Sequence, residues 1–600
     1  MSSGQDIGDV YAATLERIRA QEKDRARLGM EAIMWAAYSE RPLSPEELCE
    51  ALGVEIGSAG LENDNVPSIR TILNCGLGLV TVDSSSSKVR LVHFTLQEHI
   101  QANPTLFYNP HLMIAEVCLT YLNFGCIKDL SPALHSPPPT TPFLEYASHH
   151  WGEHARRQTS ASVISLALKL LDAFDAHISC ELLLRWEYQM SMPDADQASP
   201  IEFTALHAAA FLGVLEIMVS LLKINKWDVN ATGSFGTTAL VWATKRGHDA
   251  IVKVLLGQEG VDPNIVDHSG RTPLSWAAGP WLWPRGTSEG RERVVKMLLE
   301  RNDVNPDSPD KTGRTPLSWA AENGCERAVQ MLLERNDVNP DTMGGDGRTP
   351  LSWAAGPWLW PRGTSEGHER VVKMLLEQNG VNPDSTDKNR RTPLSWAAGS
   401  GRGEIVRMLL QRNDVNPGTA DEDGRTPLSW AATPWHWKEG TEERNLRVLE
   451  ILLERNDVYP DTADKSGRTP FSWAAGSGYE EIVGVLLERN DVNPDSADRS
   501  GRTPLSWAAE GGNEGVVWML LERSDVNPDA VDKSGRTPFS RAAGEGREEI
   551  VELLLERSDI NPDRPDMSDR TPLVWAAKNG HEKIVRMLLK PNDALPNTGD

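Results

Sequence analysis

Two pentapeptides, Gly286-Thr287-Ser288-Glu289-Gly290 and Gly363-Thr364-Ser365-Glu366-Gly367, carry the G-x-S-x-G spacing that exposes a serine nucleophile. That chemistry needs a strand before the serine, a helix after it, and a histidine and an acid within reach. Both pentapeptides fall instead in a turn between two helical patterns and recur with a copied segment, so a hydrolase is not expected. Asp303-Val304-Asn305-Pro306-Asp307 starts like a calcium loop, but its sixth position is Ser308 rather than Gly and its twelfth is Arg314 rather than Glu. Turn chemistry accounts better for those Asp and Asn residues. His149, His150 and His154 crowd one segment, with His150 and His154 a helical turn apart. Zinc would want a third strong ligand and a second shell, so a structural helix is the simpler reading. No Gly-x-x-x-x-Gly-Lys-Ser/Thr phosphate cradle occurs. What remains points to recognition rather than catalysis. Paired tryptophans, Trp281 and Trp283, Trp358 and Trp360, Trp435 and Trp437, suit the anchoring of a protein partner. No catalytic residue, cofactor or metal is expected, and the chain reads as a non-enzyme.

The elements that position those tryptophans come from a repeat. The Thr that opens Thr-Pro-Leu-Ser-Trp-Ala-Ala and its variants falls at Thr204, Thr238, Thr272, Thr315, Thr349, Thr392, Thr426, Thr469, Thr503, Thr537 and Thr571, at intervals of 34 or 43 residues. In the unit that opens at Thr315, that Thr suits a helix N-cap and Pro316 the first helical position. Leu317, Ala320 and Ala321 form a narrow apolar face, and Asn323-Gly324 breaks the helix. A second helix carries Ala328, Val329, Leu332 and Leu333 on one stripe. Asn336 is expected in a left-handed cap, and Asp337 to Gly347 in a hairpin-like return. Neither helix buries its stripe alone, but stacked neighbours do.

Thr204-Ala205-Leu206-His207-Ala208-Ala209 and the Thr-Pro-Leu-Ser-Trp-Ala-Ala series resemble the ankyrin signature T-P-L-H-x-A, over roughly 201–590. The resemblance implies a mainly α solenoid of about eleven repeats that binds proteins. Two departures stand out. Ser or Val replaces the motif His in every unit but the first, which removes an inter-repeat hydrogen bond usual in the family, and each hairpin carries one extra residue.

The 43-residue intervals hold nine-residue inserts in the units that open at Thr272, Thr349 and Thr426. Two read Gly-Pro-Trp-Leu-Trp-Pro-Arg-Gly-Thr-Ser-Glu-Gly, and the third keeps Pro434, Trp435 and Trp437 among drifted neighbours. Each interrupts the turn between the two helices, so each is expected as a loop on one edge of the solenoid. Two roles stay open for their tryptophans: partner anchors, or covers folded over a helix end. A second series, Trp242, Trp276, Trp319, Trp353, Trp396, Trp430, Trp473, Trp507 and Trp575, lies about 200° round the first helices from the core-facing Leu. These face either the groove or the adjacent repeat, with packing between repeats preferred. Arg541 takes their place in the tenth unit, where the array is expected to be weakest.

Ahead of the array, residues 9–38 read as two helices, Ser44-Pro45-Glu46-Glu47 and Thr95-Leu96-Gln97-Glu98 as capping boxes, and Val80-Thr81-Val82 with Val89-Arg90-Leu91 as a hairpin. Helices followed by a β-wing suggest a winged-helix domain. Arg41-Pro42-Leu43-Ser44, Cys75 to Val80, Val89 to Thr95 and Trp151-Gly152-Glu153-His154-Ala155-Arg156 look like segments of fungal NACHT–ankyrin proteins. Those proteins are NLR-like switch ATPases, and the segment is also labelled the GPI inositol-deacylase winged helix. That resemblance makes His93 the position matching a phosphate-contacting histidine, although the NACHT module itself is missing. The expected organisation is a winged-helix-like α+β domain (1–100), a helical connector that caps the first repeat (101–200), the array (201–590) and a flexible tail (591–600).

Net charge is −25, with 61 Lys and Arg against 86 Asp and Glu and no basic stripe, so nucleic acid is an unlikely partner on electrostatic grounds. No run of 18 apolar residues spans a membrane, and the start lacks a secretory signal pattern. Six cysteines without a C-x-x-C pair suggest a reducing compartment, cytoplasm or nucleus. The resulting expectation is a protein-interaction scaffold, with a fragment of an NLR-like nucleotide-dependent switch as the alternative.

Overall fold

A computed structural model of the chain describes residues 3–132, 134, 137–189, 202–224, 226–279, 288–356, 364–433 and 441–589. The chain divides near residue 305 into two compact units. The first holds a helical head with one small sheet and the repeats that open at Thr204, Thr238 and Thr272. The second holds the repeats that open from Thr315 to Thr571.

The head begins with the helices Ser3–Arg19 and Lys23–Tyr38, the pair expected from the apolar spacing. Ser44 starts the next helix with a full capping box: its hydroxyl accepts from the Glu47 N–H at 3.2 Å, and Glu47 Oε2 accepts from the Ser44 N–H at 2.6 Å. Burial opposes ionisation of Glu47, but the Arg41 guanidinium and the Ser44 N–H hold its carboxyl below the usual range. Strands β1 (Val80–Asp83) and β2 (Lys88–Leu91) pair antiparallel, with Val82 opposite Val89, and the Asp83 carboxylate accepts from Ser85 and Ser86 to shape the turn. The second expected capping box is corrected. The helix Phe94–Ala102 starts earlier, capped by His93, whose Nδ1 accepts from the Thr95 N–H at 3.3 Å. The Thr95 hydroxyl is committed elsewhere, 2.7 Å from that of Tyr11.

The helices Leu144–Arg157, Ala161–Leu171 and Ile178–Gln189 connect the head to the first repeat. Trp35 meets Phe143 and Tyr146 edge-on, with ring centroids 5.6 and 5.9 Å apart, and so binds the head to the connector. On the repeat side, Phe174 and Phe203 lie 6.3 Å apart. A Cβ added at Gly152 would lie 2.6 Å from Leu212, so glycine is what allows the helix Leu144–Arg157 to come this close to the first repeat.

Each repeat is two antiparallel helices and a hairpin. In the unit that opens at Thr315, the helices are Pro316–Glu322 and Glu326–Leu333, and Thr315 Oγ1 accepts from the Ser318 N–H at 3.3 Å. Leu317, Ala320, Ala321, Val329 and Leu332 are fully buried, which places both apolar stripes between neighbours as the spacing requires. Asn336 is not left-handed; the positive φ angles fall on Gly324 (62°) and Gly347 (83°), where no Cβ resists them. Just past the second helices, Arg301, Arg412, Arg455, Arg523 and Arg557 each couple two repeats. Arg412 donates to the Leu376 carbonyl of the preceding repeat at 2.9 Å and forks onto its own Asp414. Arg523 and Arg557 do the same with Leu487 and Leu521. These bonds satisfy helix-end carbonyls that have no partner inside their own helix.

The helical tryptophans pack between repeats, as preferred, but not against apolar side chains alone. From Arg314 to Arg468, the Arg five residues before the Trp lies over its ring and over the ring of the next repeat. Arg314 stands 3.6 Å from the Trp319 centroid and 3.7 Å from that of Trp353. Arg348 bridges Trp353 and Trp396 at 3.6 and 4.0 Å, Arg425 bridges Trp430 and Trp473 at 3.7 and 4.3 Å, and Arg468 bridges Trp473 and Trp507 at 3.6 and 3.9 Å. Burial pushes the guanidinium pKa of Arg348, Arg425 and Arg468 down to about 10, so all three stay charged at neutral pH. Stacking a desolvated cation on an indole contributes up to about 2 kcal/mol, which offsets part of that burial. Seven of the nine indoles also donate Nε1–H to an Asp nine residues earlier, as Trp430 does to Asp421 at 3.0 Å and Trp473 to Asp464 at 2.9 Å. Where Gly233 and Gly344 stand in place of that Asp, the Trp242 and Trp353 indole N–H groups have no acceptor among the described residues.

Candidate partner-binding surface

The six tryptophans put forward as anchors, Trp281, Trp283, Trp358, Trp360, Trp435 and Trp437, lie outside the described residues, as does the tail 591–600. What flanks them is described. Repeats without inserts have second helices of eight residues, such as Gly403–Leu410, except the first, whose Leu215–Ile224 has ten. The three with inserts have Ser288–Leu299, Ser365–Leu376 and Thr441–Leu453, of twelve, twelve and thirteen residues. The preceding helices shrink to Pro273–Ala278, Pro350–Ala355 and Pro427–Ala431. The inserts are therefore not loop throughout: their last residues add a helical turn, and each departs at the same point of its repeat.

This edge is held firmly. His368 reaches from the second helix of its repeat to the Glu322 carbonyl of the preceding one at 2.9 Å, the Asn513 amide to the Ala475 carbonyl at 2.9 Å, and His581 to the Gly544 carbonyl at 3.0 Å. In the first repeat, His207 supplies the bond usual in its motif, lying 3.0 Å from the Ala231 carbonyl. Burial pushes its pKa down to about 4, so the ring is neutral at physiological pH.

The alternative chemistries find no geometry. Thr364 is a helix N-cap, accepting from the Gly367 N–H at 3.0 Å, and the Ser365 hydroxyl donates to Glu369 at 3.1 Å. His368 turns to main-chain carbonyls rather than to that serine. Asp303 is forked by Arg301. The three clustered histidines diverge. His154 sits between His111 Nδ1 at 2.8 Å and the Tyr146 hydroxyl at 2.9 Å, while His149 Nε2 faces the Leu182 carbonyl at 3.0 Å. Burial, with His111, His150 and Arg157 nearby, pushes the pKa of His154 down to about 2, so it is a neutral hydrogen-bonding residue. Among the described residues no group of three or more His, Cys, Asp or Glu is placed to hold a metal ion, and no helix is long and apolar enough to cross a membrane. His93, the phosphate-contact position implied by the head's resemblance, has its Nδ1 occupied by the cap.

Sequence spacing did not reveal the hairpin tips as a surface. In the second unit, main-chain N–H groups of successive tips bond to the tip before: Lys465 to the Asp423 carbonyl at 2.8 Å, Arg499 to Ser466 at 2.8 Å, Lys533 to Ser500 at 2.8 Å and Met567 to Ser534 at 2.9 Å. The tips of the second unit thus form one ordered row.

Comparison with known proteins gives two family matches. Residues 206–280, 286–356, 363–436, 440–532 and 524–600 match the model of ankyrin repeats, and residues 15–106 match the GPI inositol-deacylase winged helix domain. Over 103 residues, 15% of the chain, the sequence is 36% identical to the mouse (Mus musculus) Ankyrin repeat domain-containing protein SOWAHD, covering 32% of that protein. Over 88 residues, also 15% of the chain, it is 34% identical to Neurogenic locus notch homolog protein 1 of Danio rerio, covering 4% of it.

Proposed function

From the premise that the chain belongs to the ankyrin-repeat family, we propose that it is a non-enzymatic scaffold or adaptor that holds protein partners along its array, with Trp281, Trp283, Trp358, Trp360, Trp435 and Trp437 as the anchoring edge. The observation that carries this reading is the division of labour among tryptophans. The helical series is spent on the Arg–Trp ladder, whereas repeats without inserts build the same ladder and the same helix pair, so the fold has no need of the paired ones. An aromatic pair on an exposed edge is a liability unless something covers it. The third insert keeps Pro434, Trp435 and Trp437 while Thr433, His436 and Lys438 have drifted. Six free cysteines fit a reducing compartment, cytoplasm or nucleus.

A second reading rests on the winged-helix match at 15–106: a piece of an NLR-like nucleotide-dependent switch, in non-self recognition or secondary-metabolite regulation, whose NACHT ATPase lies outside this sequence. It requires nucleotide to act on the chain through another module, and no ATP binding by this chain is expected. The scaffold reading is tested by cross-linking the full chain to its captured partner and mapping the linked residues by mass spectrometry. Links concentrated in 201–590 are expected; links confined to 1–200 would reject the array as the binding part.

A further inference from the structure

Arginines on the outer face of the second unit are neutralised almost as a rule. Arg412, Arg455, Arg489, Arg523 and Arg557 each fork onto the Asp two residues on, at 2.6–2.7 Å. The hairpin tips break that rule. Lys465, Arg499 and Lys533 are exposed, stand on three successive tips, and form no ion pair among the described residues. The tip-to-tip main-chain bonds fix them in a row, one repeat apart, a spacing of about 10 Å from helix-layer packing. Exposed apolar residues run beside them: Ala463, Ala497 and Val531 each precede a cation by two positions, and Met567, 78% exposed, extends the row by one tip. Earlier tips mix the signs: Lys311 and Lys388 are exposed too, but Asp346 stands between them and Glu422 and Asp423 stand between Lys388 and Lys465, so the unbroken run of three cationic tips falls in the last third of the array.

A chain of net charge −25 gains nothing in solubility from three unpaired cations beside exposed Val and Met. We propose that this strip seats an extended protein segment with an acidic residue at every third position and apolar residues between. The registers agree. A chain in the extended polyproline II conformation rises about 3.1 Å per residue with about three residues per turn, so every third carboxylate recurs on one face at about 9 Å, close to the spacing of Lys465, Arg499 and Lys533, while intervening apolar side chains reach Val531 and Met567. A single nucleic-acid strand offers the same charge at a density the acidic bulk of the protein repels. The proposal rests on the scaffold reading above and adds the chemistry of the partner.

The test uses the full chain and a fluorescein-labelled 21-residue peptide of repeating Glu-Ser-Leu, read by anisotropy at low ionic strength. Its controls are the matching Gln-Ser-Leu peptide and a 20-nucleotide oligothymidine. The Glu peptide should bind and the Gln peptide should not. Lys465→Glu/Arg499→Glu/Lys533→Glu should weaken binding at least tenfold with unchanged melting, as should raising salt to 0.5 M. Val531→Ser/Met567→Ser should weaken it several-fold. Equal binding of both peptides, tighter binding of the oligonucleotide, or full affinity in the charge-reversed chain would overturn the strip. None of those outcomes touches the scaffold reading, which fails only if partner cross-links fall outside the array.

Discussion

Replacing Arg541 with alanine should destabilise the tenth repeat by roughly 3–5 kcal/mol, the cost of breaking a buried ion pair by removing one partner, although Arg541 looks in sequence like a defect. Its guanidinium is 6% exposed and takes over two jobs of the missing indole. It donates to Asp532, the acid that a Trp Nε1–H holds in neighbouring repeats, and to Glu510 of the preceding repeat at 2.7 Å. Burial opposes ionisation of Asp532, yet bonds from Ser534, Arg541 and the Arg536 N–H hold its carboxyl below the usual range. Alanine leaves that carboxylate buried and short of its partner. Arg541→Trp should instead be tolerated within about 1 kcal/mol, because a well-packed apolar group often replaces a buried ion pair without loss, and the new indole can donate to Asp532. Stability in a repeat array is close to a sum of neighbour terms, so the readout is local. Amide exchange across 503–570 should accelerate in the alanine variant and stay near wild type in the tryptophan variant. Equal, slow exchange in both would show that the ion pairs contribute nothing.

The second large effect has the opposite sign. In the first unit, side-chain amides stitch hairpins together: Asn230 donates to the Gly260 carbonyl at 2.7 Å and Asn264 to the Asp303 carbonyl at 2.6 Å, while their Oδ1 atoms accept from the Asp262 and Asn305 N–H groups. At the same place in later repeats stand Asp341, Asp384, Asp461 and Asp495, which still accept from the next hairpin. A carboxylate has no N–H to give, and in each of the four Oδ1 is buried with no hydrogen-bond donor. Burial raises all four pKa values, with Asp414, Asp491 and Asp525 adding repulsion at Asp384, Asp461 and Asp495. Asp→Asn at the four positions should therefore stabilise the array at pH 7 by about 1 kcal/mol per site. The pH dependence follows from the raised folded values. The stabilising proton is fully in place below the unfolded pKa and is lost as pH rises through the folded one. The gap between variant and wild type should open as pH rises through that window and close below about pH 3.5, where a protonated Asp donates as Asn does. A gap independent of pH in urea melts would refute the assignment.

The repeat, its caps and its buried stripes were legible because each depends on residues close in sequence: a Thr before Pro, an Ala-Ala pair, a Gly at a positive φ. The contacts that tie repeat to repeat were not. Arg and Trp keep a five-residue spacing in nearly every unit, from Arg271 and Trp276 to Arg570 and Trp575, but only the pitch of the stack brings the Arg residues from Arg314 to Arg468 onto the following ring as well. Asn264 and Asp307 occupy one sequence pattern, yet the Asn264 amide donates to the Asp303 carbonyl whereas burial raises the pKa of the Asp307 carboxyl. Thr95 and His93 both suit a cap, and a distant residue, Tyr11, settles which serves. Of the candidate site, spacing marked the paired tryptophans as additions to the 34-residue unit, while the extra helical turn after each insert was hidden by its prolines and glycines.

Binding and melting of the full chain with Trp281, Trp283, Trp358, Trp360, Trp435 and Trp437 all replaced by Ser bear most directly on the insert edge as the partner site. Helix content and melting temperature should stay near wild type, because the ladder and helix pairs recur in repeats without inserts, while affinity for the partner captured by the wild-type chain should be lost. Melting many degrees lower with that partner still bound would contradict this and make the paired tryptophans covers for the helix ends.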